Sequence, residues 1–318
     1  MPESPPSLPG EDKLLALPRP AEPARGSGQG AHMVPSEYRH IRFDVQPNGV
    51  ATITFDLPGM ANAMDLLGVQ ETLDALRRCE QRPDVRAVVL TGAGEHAFSA
   101  GFNLKEIPLA DWQPEQIRSH FETLALWWHQ VLHAIVHLPR PVLAAVNGVA
   151  AGVGLGMVLA ADMAVAVDSA SFLCAWHSIG LANDAATSYT LAKIVGFRRA
   201  MELMLTNRTL SAAEALDWQI LNRVYARADF GDNVAQIAAD LAAGPTHLQA
   251  MAKSRFHAGW RQAIEECTQQ EIENVMRSLA DPYFKRALDR FLGKQARSDQ
   301  VQVRLPPSGA GREGKAGS

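Results

Sequence analysis

From Pro141 to Ala161 the chain reads PVLAAVNGVAAGVGLGMVLAA, with Asn147 its one strongly polar side chain. A run this apolar has to leave water, and it has two destinations, a bilayer or a protein interior. Its length and its two GxxxG matches, Gly148 to Gly152 and Gly152 to Gly156, suit a membrane helix. Its other features do not: it is rich in Ala and Gly rather than Leu and Phe, an Asn-Gly pair interrupts it, and it runs straight into Asp162 with no Lys or Arg at that end. A buried strand, a tight glycine turn and a buried helix in a water-soluble core account for it better.

The same region is short of cations. From Pro141 to Ala192 the only charged side chains are Asp162, Asp168 and Asp184, with no Lys or Arg in the stretch to pair with them. A lone carboxylate in apolar company is expensive to bury unless other groups donate hydrogen bonds to it. Asp184 lies in CAWHSIGLANDAATS, after the pair Trp176-His177. An indole N–H donates and never accepts, which suits Trp176 to holding this carboxylate. The structural alternative is that Asp184 opens a helix beginning near Ala185 as its N-cap. The local pattern leaves both open.

At 318 residues the chain is long enough for one large domain or two, and 47% hydrophobic with 20% charged residues is the composition of a globular enzyme. A formal net charge of -4 and the lack of a basic run argue against nucleic acid as the main partner. Cys79, Cys174 and Cys267 are far apart with no CxxC spacing, so neither a disulfide framework nor a zinc ribbon is indicated, and a reducing cytoplasm fits.

Residues 1–36 are proline-rich and aperiodic and read as a disordered extension, and residues 293–318 as a flexible tail. Between them, IRFDVQPNGVATITFDL predicts a hairpin turning at Asn48-Gly49, followed by a helix from about Asp65 to Arg82 and the strand VRAVVLTG. A long helix is expected from Pro114 to about Leu138, then short strands alternating with helices, which together suggest an α/β core over residues 37–231. Residues 232–292 are wholly helical in pattern and are expected to form a subdomain packed over a core.

Three places have chemical potential. In GEHAFSAGFNLKEI a glycine-rich turn after a strand offers backbone N–H groups and Lys105 to a ligand oxygen or phosphate. In NGVAAGVGLGMVLAAD, Gly152 and Gly154 flank Val153 where a helix begins, and a helix N-terminus suits an oxyanion or polarised carbonyl. Close backbone packing explains the same glycines equally well. In LALWWHQVLHAIVHL, His129, His133 and His137 recur every fourth residue on one face. Without an HExxH carboxylate, one histidine acting as a base fits better than a metal site.

Taken together, AFSAGFNLKEI, VLAAVNGVAAGVGLGMVLAADMAVA and TLAKIVGFRRAMELMLTNRTLSAAEALDWQILNRV resemble the crotonase (enoyl-CoA hydratase/isomerase) superfamily, and the likeness spans Tyr38 to Leu292. The resemblance implies an α/β fold, a spiral of repeated ββα units with a C-terminal helical trimerisation subdomain. It also implies a homotrimer and an aryl-CoA or acyl-CoA thioester substrate, whose carbonyl is held by the N–H groups of Phe102 and Val153 as an oxyanion hole. Coenzyme A enters as part of the substrate, and no separate cofactor or metal is implied. Ala100, Leu104, Lys105, Trp128 and Gly152 would contact substrate, and Glu271 and Arg297 would do so across a subunit interface.

Hydratases of this superfamily carry two catalytic glutamates, and this chain has Gly156 and Trp176 at those positions, so simple hydration loses both its acid and its base. Instead FLCAWHSIGLANDAATSYTLAKIVG, with ALWWHQ upstream and PTHLQAMAKSRFHAGW downstream, is similar to the 4-chlorobenzoyl-CoA dehalogenase family. That likeness implies Asp184 as a nucleophile, His129 as the base and Trp176 as the group that orients Asp184. Three positions depart from its pattern: Val153 replaces a glycine, Ala185 replaces a hydroxyl residue, and no basic residue stands at Met60 or Ala61. The rival readings are an enoyl-CoA isomerase using Asp184 as acid and base, and a non-catalytic acyl-CoA binder.

Overall fold

The hairpin, the long helices and the apolar run each resolve into elements of a two-sheet spiral. The computed structural model describes residues 38–107, 113–259 and 261–293; the expected N-terminal extension and the tail beyond Gly293, with Arg297, lie outside them. In chain order the elements are β1 (Ile41–Val45), β2 (Val50–Phe55), α1 (Leu66–Gln81), β3 (Ala87–Gly92), β4 (Ala97–Ser99), α2 (Pro114–His137), β5 (Val142–Val146), β6 (Val149–Ala151), α3 (Val153–Ala160), β7 (Met163–Val167) and β8 (Ser171–Leu173). There follow α4 (Thr187–Val195), α5 (Phe197–Thr206), β9 (Leu210–Ser211), α6 (Ala212–Asp217), β10 (Arg223–Tyr225), α7 (Arg227–Ala243), α8 (Thr246–Ala258), α9 (Arg261–Ala280) and α10 (Pro282–Phe291).

Three times the chain lays a strand in one sheet, a short strand in a second sheet and then a helix: β3-β4-α2, β5-β6-α3 and β7-β8-α4. The larger sheet has the order β1-β2-β3-β5-β7-β10 and is parallel apart from the β1/β2 hairpin, and the smaller has the order β4-β6-β8-β9. This is the expected spiral of ββα units. The Pro141–Ala161 run is one such unit, with β5, a corner at Asn147-Gly148, β6 and α3. Among the described residues no helix is long and apolar enough to cross a membrane.

The central strands read as continuous apolar runs because both faces of the sheet are covered. Val88 and Leu90 of β3 and Val142, Ala144 and Val146 of β5 face the main core. Their neighbours Val89, Leu143 and Ala145 face a second core closed by Ala238 and Ala242 of α7. The expected start of the helical subdomain, residue 232, therefore falls inside a helix that packs on the sheet. Beyond it, α9 packs against α2 and α4, and α10 packs against the turn at Trp176–Ile179.

Asn147 sits at the corner because buried backbone must be satisfied. Its Oδ1 accepts from Gly92 N–H, and its Nδ2 donates to Gly94 O and Ala97 O. Asp162 finds its cation far along the chain: Lys253 on α8 donates to Asp162 Oδ2 at 2.7 Å and to Ile135 O and Arg140 O around the end of α2. Val142 N–H also donates to Oδ2, and His257 Nε2 stands 3.4 Å from Oδ1. Removing one member of a buried ion pair typically costs about 3–5 kcal/mol. Lys253→Ala is expected to lower stability by that order, read as a lower midpoint in urea unfolding with activity per folded molecule retained.

Candidate active site

The first part of the site is made by backbone. A parallel bridge joins Met64 to Phe102 through the hydrogen bonds Met64 N–H to Gly101 O and Asn103 N–H to Met64 O. In such a bridge the flanking peptides pair, and the N–H of Phe102 itself points away. Val153 is the first residue of α3, so its N–H has no intrahelical acceptor. Among the described residues neither N–H has an acceptor.

Glycines bring these two donors together. Gly152 precedes the helix at φ 55 and ψ -126, a conformation that side chains disfavour. A Cβ on Gly101 would stand 3.3 Å from Val153 N, so the Phe102 segment lies directly beside the helix start, and a Cβ on Gly154 would collide with Ser99 O. The two unpaired N–H groups border a cavity of about 340 Å³ whose lining includes Ala100, Phe102, Leu104, Lys105, Gly152 and Val153, with Met60, Ala61, Trp176 and Phe291 among its other walls. Lys105 is exposed at this cavity.

One turn further along α3, Gly156 touches the second part of the site. A Cβ there would lie 2.5 Å from Ala185 Cβ, so the loop carrying Asp184 occupies the space that a side chain at 156 would need. Asp184 is 0% exposed. Its Oδ1 meets His129 Nε2 at 2.6 Å and accepts from Ala185 N–H at 2.7 Å, whereas its Oδ2 is buried without a partner. His129 reaches it because it falls on the buried face of α2 with Ala125, Trp128 and Leu132. His137 is exposed, so the histidine stripe is divided between core and surface.

Glu271 of α9 holds this loop from behind. Its carboxylate accepts from Asn183 Nδ2, Ala186 N–H, Ser188 N–H and Ser188 Oγ at 2.6–3.1 Å. Ala185 and Ala186 both adopt left-handed conformations, φ 65 and φ 55, which non-glycine residues hold only when their surroundings enforce it. His129, Asp184 and Glu271 each present an atom within 4.8 Å of the others. Burial disfavours the His129 imidazolium, but the charge and hydrogen bond of Asp184 and the charge of Glu271 outweigh it and raise its pKa. Burial and the charge of Asp184 push Glu271 up to about 7, against its donors and His129.

Several expectations change here. Asp184 is not a helix cap, because α4 begins at Thr187 after Ala186 with no side-chain cap. Trp176 lines the cavity and is buried, but Asp184 has no hydrogen bond from its indole; His129 and Ala185 N–H take Oδ1 instead. Trp128 is 0% exposed and packs at 6.3 Å on the Phe102 ring without lining the cavity. Glu271 is 3% exposed and bonds its own chain's loop, because four donors converge on it. Nothing local in the sequence marks Glu271 as this loop's anchor. Arg297 lies outside the described residues.

A carboxyl whose pKa is about 7 when folded and 4.5 by its ordinary value binds more protons folded than unfolded between those limits, so its contribution to stability is lost as pH rises through that window. Glu271→Gln is expected to remove this component, read as a flatter dependence of unfolding free energy on pH between about 4.5 and 7 than the unsubstituted protein shows. An unchanged slope would refute the raised pKa.

Comparison with known proteins agrees with this geometry. The family described as enoyl-CoA hydratase/isomerase matches residues 45–299. The chain is 48% identical over 265 residues to 4-chlorobenzoyl coenzyme A dehalogenase-2 of Arthrobacter sp, covering 83% of this chain and 95% of that one. It is 35% identical over 261 residues to a probable enoyl-CoA hydratase of Rhodobacter capsulatus, covering 81% and 96%. Among solved structures, an enoyl-CoA hydratase from Mycobacterium avium subsp. paratuberculosis superposes with a TM-score of 0.72 at 29% identity, covering 81% of this chain and 98% of that one. A ββα spiral that juxtaposes two unpaired N–H groups, matched by these relatives over most of its length, makes this chain a member of the enoyl-CoA hydratase/isomerase family.

Proposed function

We propose that this protein hydrolyses 4-chlorobenzoyl-CoA, or a related 4-halobenzoyl-CoA, to 4-hydroxybenzoyl-CoA through an aryl ester on Asp184. The observation that carries the reading is the asymmetry of the Asp184 carboxylate. Oδ1 is fixed by His129 and Ala185 N–H, and Oδ2 is buried and unbonded, as an attacking oxygen needs to be. The likeness to the Arthrobacter dehalogenase supports it independently.

The thioester carbonyl accepts from Phe102 N–H and Val153 N–H, which draw electron density from the ring through its para carbon. Asp184 Oδ2 adds to that carbon, the added charge delocalises onto the carbonyl oxygen, and chloride departs as the ring regains aromaticity. His129 takes a proton from water, the hydroxide attacks the ester carbonyl of Asp184, and the aryl C–O bond stays with the ring while the acyl C–O bond breaks. The sum is aryl chloride plus water giving phenol, chloride and one proton. Apolar walls, with Gly156 and Trp176 in place of the paired glutamates, leave water addition to an enoyl group without its usual acid and base. Glu271 serves as a positioning residue that holds the loop.

We also propose a homotrimer in a reducing cytoplasm. The three cysteines are free, and Phe197 and Leu205 on α5, with Met251 and Phe256 on α8, are large apolar side chains left exposed, as subunit contacts require. Sedimentation equilibrium is expected to give three times the chain mass.

The purified protein is expected to release chloride from 4-chlorobenzoyl-CoA, and Asp184→Asn to lose this activity to background. His129→Gln should slow ester hydrolysis about 100-fold to 10,000-fold, the range of a general base, so that a mass increase accumulates on the Asp184 peptide. Absence of chloride with acyl-CoA still bound would sink the dehalogenase reading. Double-bond migration in an enoyl-CoA, lost in Asp184→Asn and indifferent to His129→Gln, would put an isomerase in its place; binding with no turnover would make it an acyl-CoA binder.

A further inference from the structure

We propose that Val153 is a specificity-determining residue, whose isopropyl group restricts the acyl chain to one that is flat and unsubstituted beside its thioester carbonyl. The inference rests on the acyl-CoA reading above and not on the dehalogenation step. Val153 lines the cavity while its N–H, unpaired at the start of α3, is one of the two donors proposed to hold the carbonyl. Side chain and donor occupy one small patch: a Cβ on Gly101 would stand 3.3 Å from Val153 Cγ2 and equally 3.3 Å from Val153 N.

That patch adjoins the Phe102 peptide, the second donor. A carbonyl oxygen about 2.9 Å from both nitrogens therefore brings the first atoms of the acyl group against this isopropyl group. The group has little room to retreat, since a β-branched side chain in a helix is held to one rotamer and Val153 is 1% exposed. Trp176 and Ile179 close other parts of the same cavity. A benzoyl ring with hydrogens at both ortho positions passes edge-on beside Val153. An ortho methyl group, or branching at the carbon next to the carbonyl, collides with it.

The test is equilibrium binding of 4-methylbenzoyl-CoA and 2-methylbenzoyl-CoA to the full-length protein and to Val153→Ala, Val153→Gly and Val153→Thr. The unsubstituted protein should prefer the 4-methyl compound. Both smaller side chains should improve relative binding of the 2-methyl compound by about 10-fold to 200-fold, as pocket changes of this size do. Val153→Thr, which keeps the shape and changes the polarity, should keep the original ratio. Val153→Ala retains a good helix former and carries the test if Val153→Gly loosens α3, with thermal melting confirming that it is folded. An unchanged ratio in folded Val153→Ala would overturn the proposal, and so would binding of neither ligand by the unsubstituted protein. Chloride release from 4-chlorobenzoyl-CoA, run in parallel, separates the two ideas: no chloride with the ratio shifted removes the dehalogenase reading alone.

Discussion

The N-terminus of α3 rests on bare backbone, and the remainder of the site is arranged around that contact. Gly154 lets the helix meet Ser99 O where any side chain would intrude, and Gly101 lets the next segment run beside Val153 N. Polar atoms trapped by this approach are satisfied from within: Ser99 Oγ donates to Asn62 O and accepts from Gly101 N–H, and buried Asn62 pairs with Leu57 N–H, Ala93 O and Ala97 O. Among the described residues, the N–H groups of Phe102 and Val153 are left without an acceptor. Buried donors left unpaired are costly and rare, which is why two of them converging beside a cavity point to a ligand oxygen.

The same helix determines where the carboxylate can be. Gly156 accepts the Ala185 loop into the space of a missing side chain, so any larger residue there would displace the loop that carries Asp184. That loop is held in a conformation it would not adopt alone, since each left-handed alanine costs about 1–2 kcal/mol. Four hydrogen bonds to Glu271 enforce it, and because Glu271 belongs to α9, the position of Asp184 depends on docking of the C-terminal helices. Lys253 secures the neighbouring α8 to Asp162 and to the end of α2, the helix that carries His129. Asp184 and His129 are thus both referred to the C-terminal part of the chain.

Much of this was legible in the residues themselves. The turn at Asn48-Gly49 and the limits of α1 and α2 follow from local chemistry that one short segment contains. In the apolar run the Asn-Gly pair and the glycines mark bends rather than a span, which makes its strand, turn and helix legible but not the short strand β6 between turn and helix. Of the residues that motif likeness assigns to substrate contact, Ala100, Leu104, Lys105 and Gly152 lie at the cavity. The side-chain partner of Asp184 is not legible there: the Trp176 indole stands eight residues away in sequence, whereas the side chain that meets Oδ1 is His129, on another helix.

By itself the sequence determined the order of strands and helices, the glycines at the tight approach, and the presence of carboxylates in an apolar region, because periodicity, backbone freedom and residue type are local properties. Tertiary structure alone decided what those carboxylates meet. Lys253 reaches Asp162 across 91 residues, Glu271 reaches Ser188 across 83, and His129 reaches Asp184 across 55. Such pairings are set by how the spiral and the C-terminal helices pack, since the energy of a buried charge depends on neighbours that only the folded chain brings within hydrogen-bond distance.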